Sequence, residues 1–132
     1  DTATGRPAAG MKIDLYRISD AGAELIKTVE TNADGRTDAQ ILPSAEFARG
    51  VYELRFHAGA YLDAQGVPPE SPRFLDMIPI RFGMSEDTHY HVPLLLSPFG
   101  YSTHAEVRFV ERQPWVGHRA SPACFPDRCR PN

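Results

Sequence analysis

Two short segments of this chain alternate between apolar and polar residues, and this alternation limits the possible folds more than any other feature. Met11–Leu15 and Val51–Phe56 both follow a period of two. Successive side chains of a β-strand point to opposite faces, so each segment is typical of a strand with one buried face. Runs rich in β-branched or aromatic residues add three more predicted strands, at Leu25–Val29, Met77–Phe82 and Tyr90–Leu96.

The segments between these strands predict tight turns and one helix. Ser19–Gly22 and Asn32–Gly35 are rich in residues that favour turns. Ala58–Gln65 is rich in alanine and is followed by Gly66, a typical helix stop. Closely spaced strands with a single short helix indicate an all-β chain folded as a β-sandwich.

Length and charge indicate one domain followed by a tail. The 132 residues suit one compact domain. Residues 1–107 hold 9 Lys and Arg against 15 Asp and Glu, whereas residues 108–132 hold five Arg, two acidic residues and four prolines. We therefore assign residues 1–107 to the domain and residues 108–132 to an atypical, disordered tail. The acidic domain has no charge-based reason to bind nucleic acid.

Cysteine content and hydropathy exclude further classes of protein. Cys124 and Cys129 both lie in the tail and are too few for a structural zinc site. No apolar run approaches the ~20 residues that span a bilayer, so no membrane association through a span is expected. The sequence begins with Asp1 rather than Met, so any targeting segment would precede it. We expect a cytoplasmic protein and leave a periplasmic or peroxisomal location open.

Two residues are candidates for chemistry. The His91 imidazole can accept a proton from a water molecule that attacks a carbonyl, although a histidine on an apolar strand is often only hydrogen-bonded at the sheet surface. Arg36 follows an Asp-Gly turn, and its guanidinium can stabilise an oxyanion, although a loop arginine is often merely solvated. Taken alone, the residues leave both alternatives open.

Three other residues carry weaker indications. His89 and His91 lie two apart on a strand, a spacing known among metal ligands, but no third ligand is evident. His57 closes an alternating strand, which favours a structural role. Ser97 precedes a proline and lacks the glycines of a nucleophile elbow, so a serine hydrolase has little support.

Two segments resemble one known family. Tyr90–Thr103 closely resembles the C-terminal signature of the transthyretin-like family, in which the residue at the His91 position is histidine in 5-hydroxyisourate hydrolases and threonine in the hormone carrier. The family's N-terminal pattern is matched in spacing by Asp1, Gly5, Pro7, Ala8, Met11 and Ile13. Histidine at position 91 therefore points to the enzymes.

The resemblance implies a fold, an assembly and a reaction. It implies a transthyretin-like (prealbumin-like) two-sheet β-sandwich with one short α-helix, assembled as a homotetramer with its site in a channel between subunits. It also implies hydrolysis of 5-hydroxyisourate to 2-oxo-4-hydroxy-4-carboxy-5-ureidoimidazoline in urate degradation, without a metal or other cofactor. His91 and Arg36 match the family's channel histidine and arginine, as catalytic and substrate-binding residues. The alternative is a non-catalytic carrier of a small ligand.

The sequence departs from the family at both ends. A second catalytic histidine stands three residues ahead of the aspartate matching Asp1, and the enzymes end in Tyr-Arg-Gly-Ser where this chain reads His104-Ala105-Glu106-Val107. We therefore expect weaker activity from the chain as given than from one restored at both ends. The tail is either a natural extension or the product of a shifted reading frame. For the second alternative, His-Ala-Glu-Val can be encoded CAC GCG GAA GTN, and one C inserted after the first codon gives CAC CGC GGA AGT, which reads His-Arg-Gly-Ser.

Overall fold

The computed structural model describes residues 1–38, 41, 49–85 and 89–108. Every strand pairing within these ranges is antiparallel, and a single short helix accompanies the strands. The predicted all-β class with one helix is confirmed. The elements are β1 (Lys12–Ser19), β2 (Gly22–Glu30), β3 (Gly50–His57), α1 (Ala58–Ala64), β4 (Met77–Met84), β5 (His89–His91), β6 (Leu94–Ser97), β7 (Gly100–Thr103) and β8 (Glu106–Arg108).

The first layer is a four-stranded sheet in the order β2-β1-β3-β4. Strands β1 and β2 form a hairpin in which Ser19 pairs with Gly22, so the predicted turn is present with two residues in its loop. The register between them shifts at Leu15 and Tyr16, where Ile26 is the extra residue of β2. Such a bulge bends its strand locally without breaking the sheet.

Alternating apolar residues of β1 and β3 build the core. Ile13 and Leu15 of β1 and Leu54 and Phe56 of β3 are each at most 5% exposed. The polar residues between them point to the opposite, outer face of the sheet, as a period of two requires. The rest of the buried apolar core comprises Met11, Tyr52, Ala58, Tyr61, Leu62, Ile78, Met84 and Leu96.

Helix α1 begins directly after β3 and ends where the sequence predicts. Its end is closed by two backbone bonds, from Gly66 N–H to Asp63 O (3.1 Å) and from Val67 N–H to Leu62 O (3.1 Å). Gly66 has a φ of +76°, a left-handed conformation that glycine adopts without steric cost. The apolar side of the helix buries Tyr61 and Leu62 against the core.

The second layer is a long hairpin that packs on the inner face of the sheet through Leu96, which is 1% exposed. Strands β6 and β7 flank its turn, and β5 and β8 continue it in the same register. The prediction of one uninterrupted strand over Tyr90–Leu96 is wrong. The ladder breaks at Val92 and Pro93 because proline has no N–H to donate. Instead, the Pro93 carbonyl accepts a bond from Thr103 Oγ1 at 2.7 Å.

Strand β8 ends at Arg108, which pairs with His89. Residues 109–132, including Cys124 and Cys129, lie outside the described residues, so the assignment of 108–132 to a disordered tail stays a prediction. Within the described ranges, no helix has the length and apolar character needed to cross a bilayer.

A glycine in α1 provides a test of the helix packing. A Cβ on Gly59 would overlap Asp76 Oδ1 and lie 3.0 Å from Asp76 Cγ and 3.2 Å from Asp76 Cα. We expect Gly59→Ala to lower the free energy of unfolding by about 1–3 kcal/mol, the usual cost of overpacking. Urea denaturation measures this change. Gly83→Ala is the control, since its Cβ would meet no atom within 4 Å; equal stability of both variants would contradict the packing.

Candidate active site

His91 is the last residue of β5 and its side chain is exposed. It pairs across the hairpin with Glu106 of β8. Among the residues whose side chains the structure describes, none forms a hydrogen bond or ion pair with the imidazole. With respect to the described side chains, the ring is therefore available to a ligand.

The hairpin places a second imidazole near the first. His104 directly follows β7, and the shared register of the two strand pairs sets it opposite Pro93. Continuing this register past Pro93 predicts that His104 and His91 are diagonal neighbours on the same face, a relation that places residues about 7–8 Å apart. Its side chain is exposed. Sequence analysis did not consider His104 as a site residue, although pairing the strands around the Ser97–Gly100 turn would have found it.

Arg36 lies in a compact turn after β2 and is exposed. Both backbone groups of Arg36 are bonded to Asn32: its N–H donates to Asn32 Oδ1 at 3.1 Å, and its carbonyl accepts from Asn32 N–H at 2.7 Å. Gly35 has a φ of +70°, which favours glycine, and its Cα faces Pro7 and Ala8 so closely that a Cβ would lie 3.1 Å from both. The backbone under Arg36 is thus fixed while its side chain reaches into solvent.

The N-terminal segment connects the hairpin of His91 to the turn of Arg36. At one end, Thr2 donates from its N–H (2.8 Å) and its hydroxyl (3.1 Å) to Leu96 O. There Asp1 also accepts a bond from the buried Tyr61 hydroxyl at 2.8 Å. At the other end, Gly10 N–H donates to Thr31 O at 3.0 Å. The N-terminal segment, which sequence analysis used only for its family pattern, therefore holds the two elements together through Thr2 and Gly10.

The described chain does not bring His91 and Arg36 into contact. Neither residue lines either of two cavities at the surface of the described chain. One, of about 370 Å³, is lined by Thr4, Arg6, Pro7, Ala9, Tyr61 and Gln65. The other, of about 280 Å³, is lined by Val67, Pro68, Glu70, Arg73, Phe74, Pro98 and Phe99. The two predicted site residues instead stand exposed on separate elements.

The structure bears on two other candidates from the sequence analysis, the Ser97 hydroxyl and the His89–His91 pair. Ser97 Oγ donates to Gly100 O at 3.1 Å within the hairpin turn, so this hydroxyl is engaged in holding the turn. The pairing of the His89 and His91 rings as metal ligands lies outside the described side chains. Among the residues that are described, no group of three His, Cys, Asp or Glu side chains is arranged to hold a metal ion.

His57 is part of a hydrogen-bonded group on the outer face of the sheet. Its Nε2 lies 2.7 Å from Asp14 Oδ2, and Thr28 Oγ1 donates to Asp14 Oδ1 at 2.7 Å. Burial acts to raise the pKa of Asp14, but the hydrogen bonds with His57 and Thr28 outweigh it and hold this pKa below its usual value. The arrangement joins β1, β2 and β3, which supports the structural role predicted for His57.

A second charged group on this face is also internally paired. The Glu53 carboxylate, 6% exposed, accepts from Arg55 Nε at 2.7 Å and from Arg81 Nε at 3.2 Å. The hydrogen bond from Arg55, followed by that from Arg81, outweighs burial and lowers the pKa of Glu53. Arg55 in turn stacks over the Tyr16 ring at 3.9 Å. The buried Glu53 carboxylate is thus paired with two more exposed arginines, and the pair with Arg81 joins β3 to β4.

The chain is similar to one protein family and to several named relatives. The model of the HIUase/transthyretin family matches residues 1–105. A protein named 5-hydroxyisourate hydrolase from Mesorhizobium japonicum is 61% identical over 104 residues, covering 79% of this chain and 84% of the relative. Another, 5-hydroxyisourate hydrolase 2 of Rhizobium meliloti, is 57% identical over 105 residues, covering 79% and 88%.

Solved structures share the fold. (S)-allantoin synthase superposes with a TM-score of 0.73 at 42% identity over 80% of this chain, which spans only 40% of that protein. Sea bream transthyretin in complex with thyroxine superposes with a TM-score of 0.72 at 31% identity, covering 83% of this chain and 92% of the other. The predicted transthyretin-like sandwich is therefore confirmed.

The Asp14 group provides a test by pH. A carboxyl whose pKa is lowered by folding stabilises the folded state above its ordinary pKa of 3.8, and this stabilisation is lost as the pH falls through the lower folded value. We expect the stability of the natural chain to fall more steeply below pH ~4 than that of Asp14→Asn, measured by thermal unfolding. Asp20→Asn, in the exposed β1–β2 turn, is the control; identical acid profiles for all three proteins would contradict the assignment.

Proposed function

Because the chain belongs to the HIUase/transthyretin family, we propose that it is a hydrolase that converts 5-hydroxyisourate to 2-oxo-4-hydroxy-4-carboxy-5-ureidoimidazoline in urate degradation. The observation that carries this proposal is the 61% identity to a protein named 5-hydroxyisourate hydrolase over 104 residues. Similarity to (S)-allantoin synthase agrees with a place in purine degradation. The compartment stays a sequence prediction, namely the cytoplasm.

His91 is proposed as the general base. Its exposed imidazole has no described partner, so it can bind a water molecule and take a proton as that water attacks an amide carbonyl of the substrate. The new C–O bond converts the carbonyl to a tetrahedral oxyanion. When that intermediate collapses, the ring C–N bond breaks and the proton passes to the leaving nitrogen, which opens the six-membered ring.

Arg36 is proposed to bind the substrate and its developing charge. The guanidinium is permanently charged and planar, and it suits a flat, anionic, carbonyl-rich purine derivative. A donor aimed at the oxyanion stabilises the transition state more than the ground state, which is what raises the rate. The fixed backbone of the Arg36 turn supports this role, because a preorganised donor has less freedom to lose.

The site is proposed to lie between subunits of a homotetramer. His91 and Arg36 are both exposed and do not meet within the described chain, so a neighbouring copy is the simplest means of enclosing a substrate beside them. The sheet order leaves β2 and β4 with one unpaired edge each among the described residues. Symmetric association of identical chains protects such edges.

A small-ligand carrier is the alternative function. Sea bream transthyretin, whose structure contains thyroxine, has the same fold at 31% identity. Two observations favour the hydrolase: the identity to the named hydrolases is nearly twice as high, and position 91 is histidine. Ultraviolet absorbance of freshly prepared 5-hydroxyisourate distinguishes the two, since only the hydrolase accelerates its decay.

Replacement of the two site residues tests the roles. We expect His91→Ala and Arg36→Ala each to lower kcat/KM for 5-hydroxyisourate at least ~100-fold, the usual scale for losing a general base or an oxyanion donor. The absorbance assay measures this directly. Arg17→Ala, an exposed arginine of β1, is the matched control and should keep activity. Near-full activity in a folded His91→Ala protein would remove the base from the mechanism.

The assembly is tested separately. We expect light scattering coupled to size exclusion to give four times the chain mass at micromolar concentration, because the exposed edges favour closed symmetric pairing. A dilution series shows whether the mass and the specific activity fall together, as a site between subunits requires. A monomeric protein that retains full activity would contradict the intersubunit site.

A further inference from the structure

Asn32 uses every hydrogen-bonding atom of its side chain within the turn that carries Arg36. Its Oδ1 accepts from the N–H groups of Asp34 (2.9 Å) and Arg36 (3.1 Å), and its Nδ2 donates to Asp38 Oδ1 (3.0 Å). An amide oxygen only accepts and an amide NH₂ only donates, so these three partners fix the orientation of the Asn32 amide.

The main chain of Asn32 completes a closed set of bonds around Arg36. Asn32 N–H donates to Arg36 O at 2.7 Å, and Asn32 O accepts from Gly35 N–H at 2.9 Å. One residue therefore holds both the N–H and the carbonyl of Arg36. The described structure shows no bond from any side chain to the guanidinium itself, so the part of Arg36 that the described bonds hold is the backbone from which its side chain starts.

The turn also rests on a fixed support. Gly35 packs against Pro7 and Ala8, and the Ala8 carbonyl accepts a hydrogen bond from Thr31 Oγ1 at 2.5 Å. The residue preceding Asn32 is thereby tied to the N-terminal segment. Asn32 stands between this support and Arg36, so a change in its side chain reaches the guanidinium through the backbone without disturbing the support.

We propose that Asn32 is a positioning residue that aims Arg36 at the substrate, an inference that rests on the function proposed for Arg36. No other side chain of similar size supplies two acceptor contacts and one donor in this geometry: aspartate would set a second carboxylate beside Asp38, and alanine would release both turn N–H groups. Misplacement of a binding group by about 1 Å can cost up to ~100-fold in rate, so its aim matters to the reaction.

A double-mutant cycle tests the inference in the full chain. We expect Asn32→Ala to lower kcat/KM for 5-hydroxyisourate roughly tenfold, mainly through kcat. If Asn32 acts through Arg36, the same change in an Arg36→Ala background should alter kcat/KM by less than about twofold. Asp34→Ala is the matched control, because this exposed side chain of the same turn forms no described bond.

The outcomes separate the inference from the proposed function. A tenfold loss in both backgrounds would mean that Asn32 acts on general stability, and no loss in either would also overturn the positioning role. If Arg36→Ala itself is fully active, the function proposed for Arg36 fails instead. Whatever the activity, hydrogen exchange of the Arg36 amide should be at least ~10-fold faster in Asn32→Ala, since its acceptor is gone.

Exchanging the amide and the carboxylate between positions 32 and 38 should restore the activity that the single change removes. Asn32→Asp alone places two carboxylates together and should impair activity, whereas Asn32→Asp with Asp38→Asn restores one donor between the two side chains and keeps Oδ1 as acceptor for both turn N–H groups. We expect the double variant to recover at least half of the lost kcat/KM and the slow exchange of the Arg36 amide. Failure of both to recover would overturn the assignment.

Discussion

The packing of the hairpin on the four-stranded sheet is the constraint on which the rest of the structure depends. Leu96 is 1% exposed, and burying a leucine completely stabilises the folded state by about 1.5–3 kcal/mol. Its carbonyl accepts both bonds from Thr2, so one residue fixes the hairpin through its side chain and the N-terminal segment through its backbone. The same segment continues to the turn of Arg36. It therefore connects the core to that surface turn directly, with no helix or strand between them.

The same packing determines which side chains of the hairpin are exposed to solvent. Five positions separate His91 from Leu96, so regular alternation places their side chains on opposite faces of the hairpin. Burial of Leu96 therefore exposes His91. A one-residue slip of the strand register would expose Leu96 and bury His91. The Ser97–Gly100 turn and the constant pairing on either side of Pro93 prevent this slip. The proline break removes hydrogen bonds at Val92 and Pro93 without changing which face His91 occupies.

Much of this fold could be predicted from local sequence, and the exceptions have physical reasons. The alternation in β1 and β3, the β1–β2 turn and the end of α1 at Gly66 are short-range effects and were predicted correctly. The interruption at Pro93 was also a local signal, since proline cannot donate, but the apolar run around it outweighed that reading. The bond between Asp14 and His57 joins residues 43 positions apart, and only the strand register brings them together. The backbone of the Arg36 turn is held by the Asn32 amide and by the packing of Gly35 against Pro7, which no periodicity reveals.

The proposed site residues are exposed, which is consistent with one fold serving both catalysis and binding. The core positions of β1, β3 and β6 cannot change size without a cost of about 1–5 kcal/mol, so packing limits substitution there. Substitutions at exposed positions usually change stability by less than about 0.5 kcal/mol. Position 91 is exposed, so exchanging histidine for another residue there alters the chemistry of the surface while leaving the sandwich intact. This is consistent with a TM-score of 0.72 to a thyroxine-bound transthyretin that shares only 31% of its sequence with this chain.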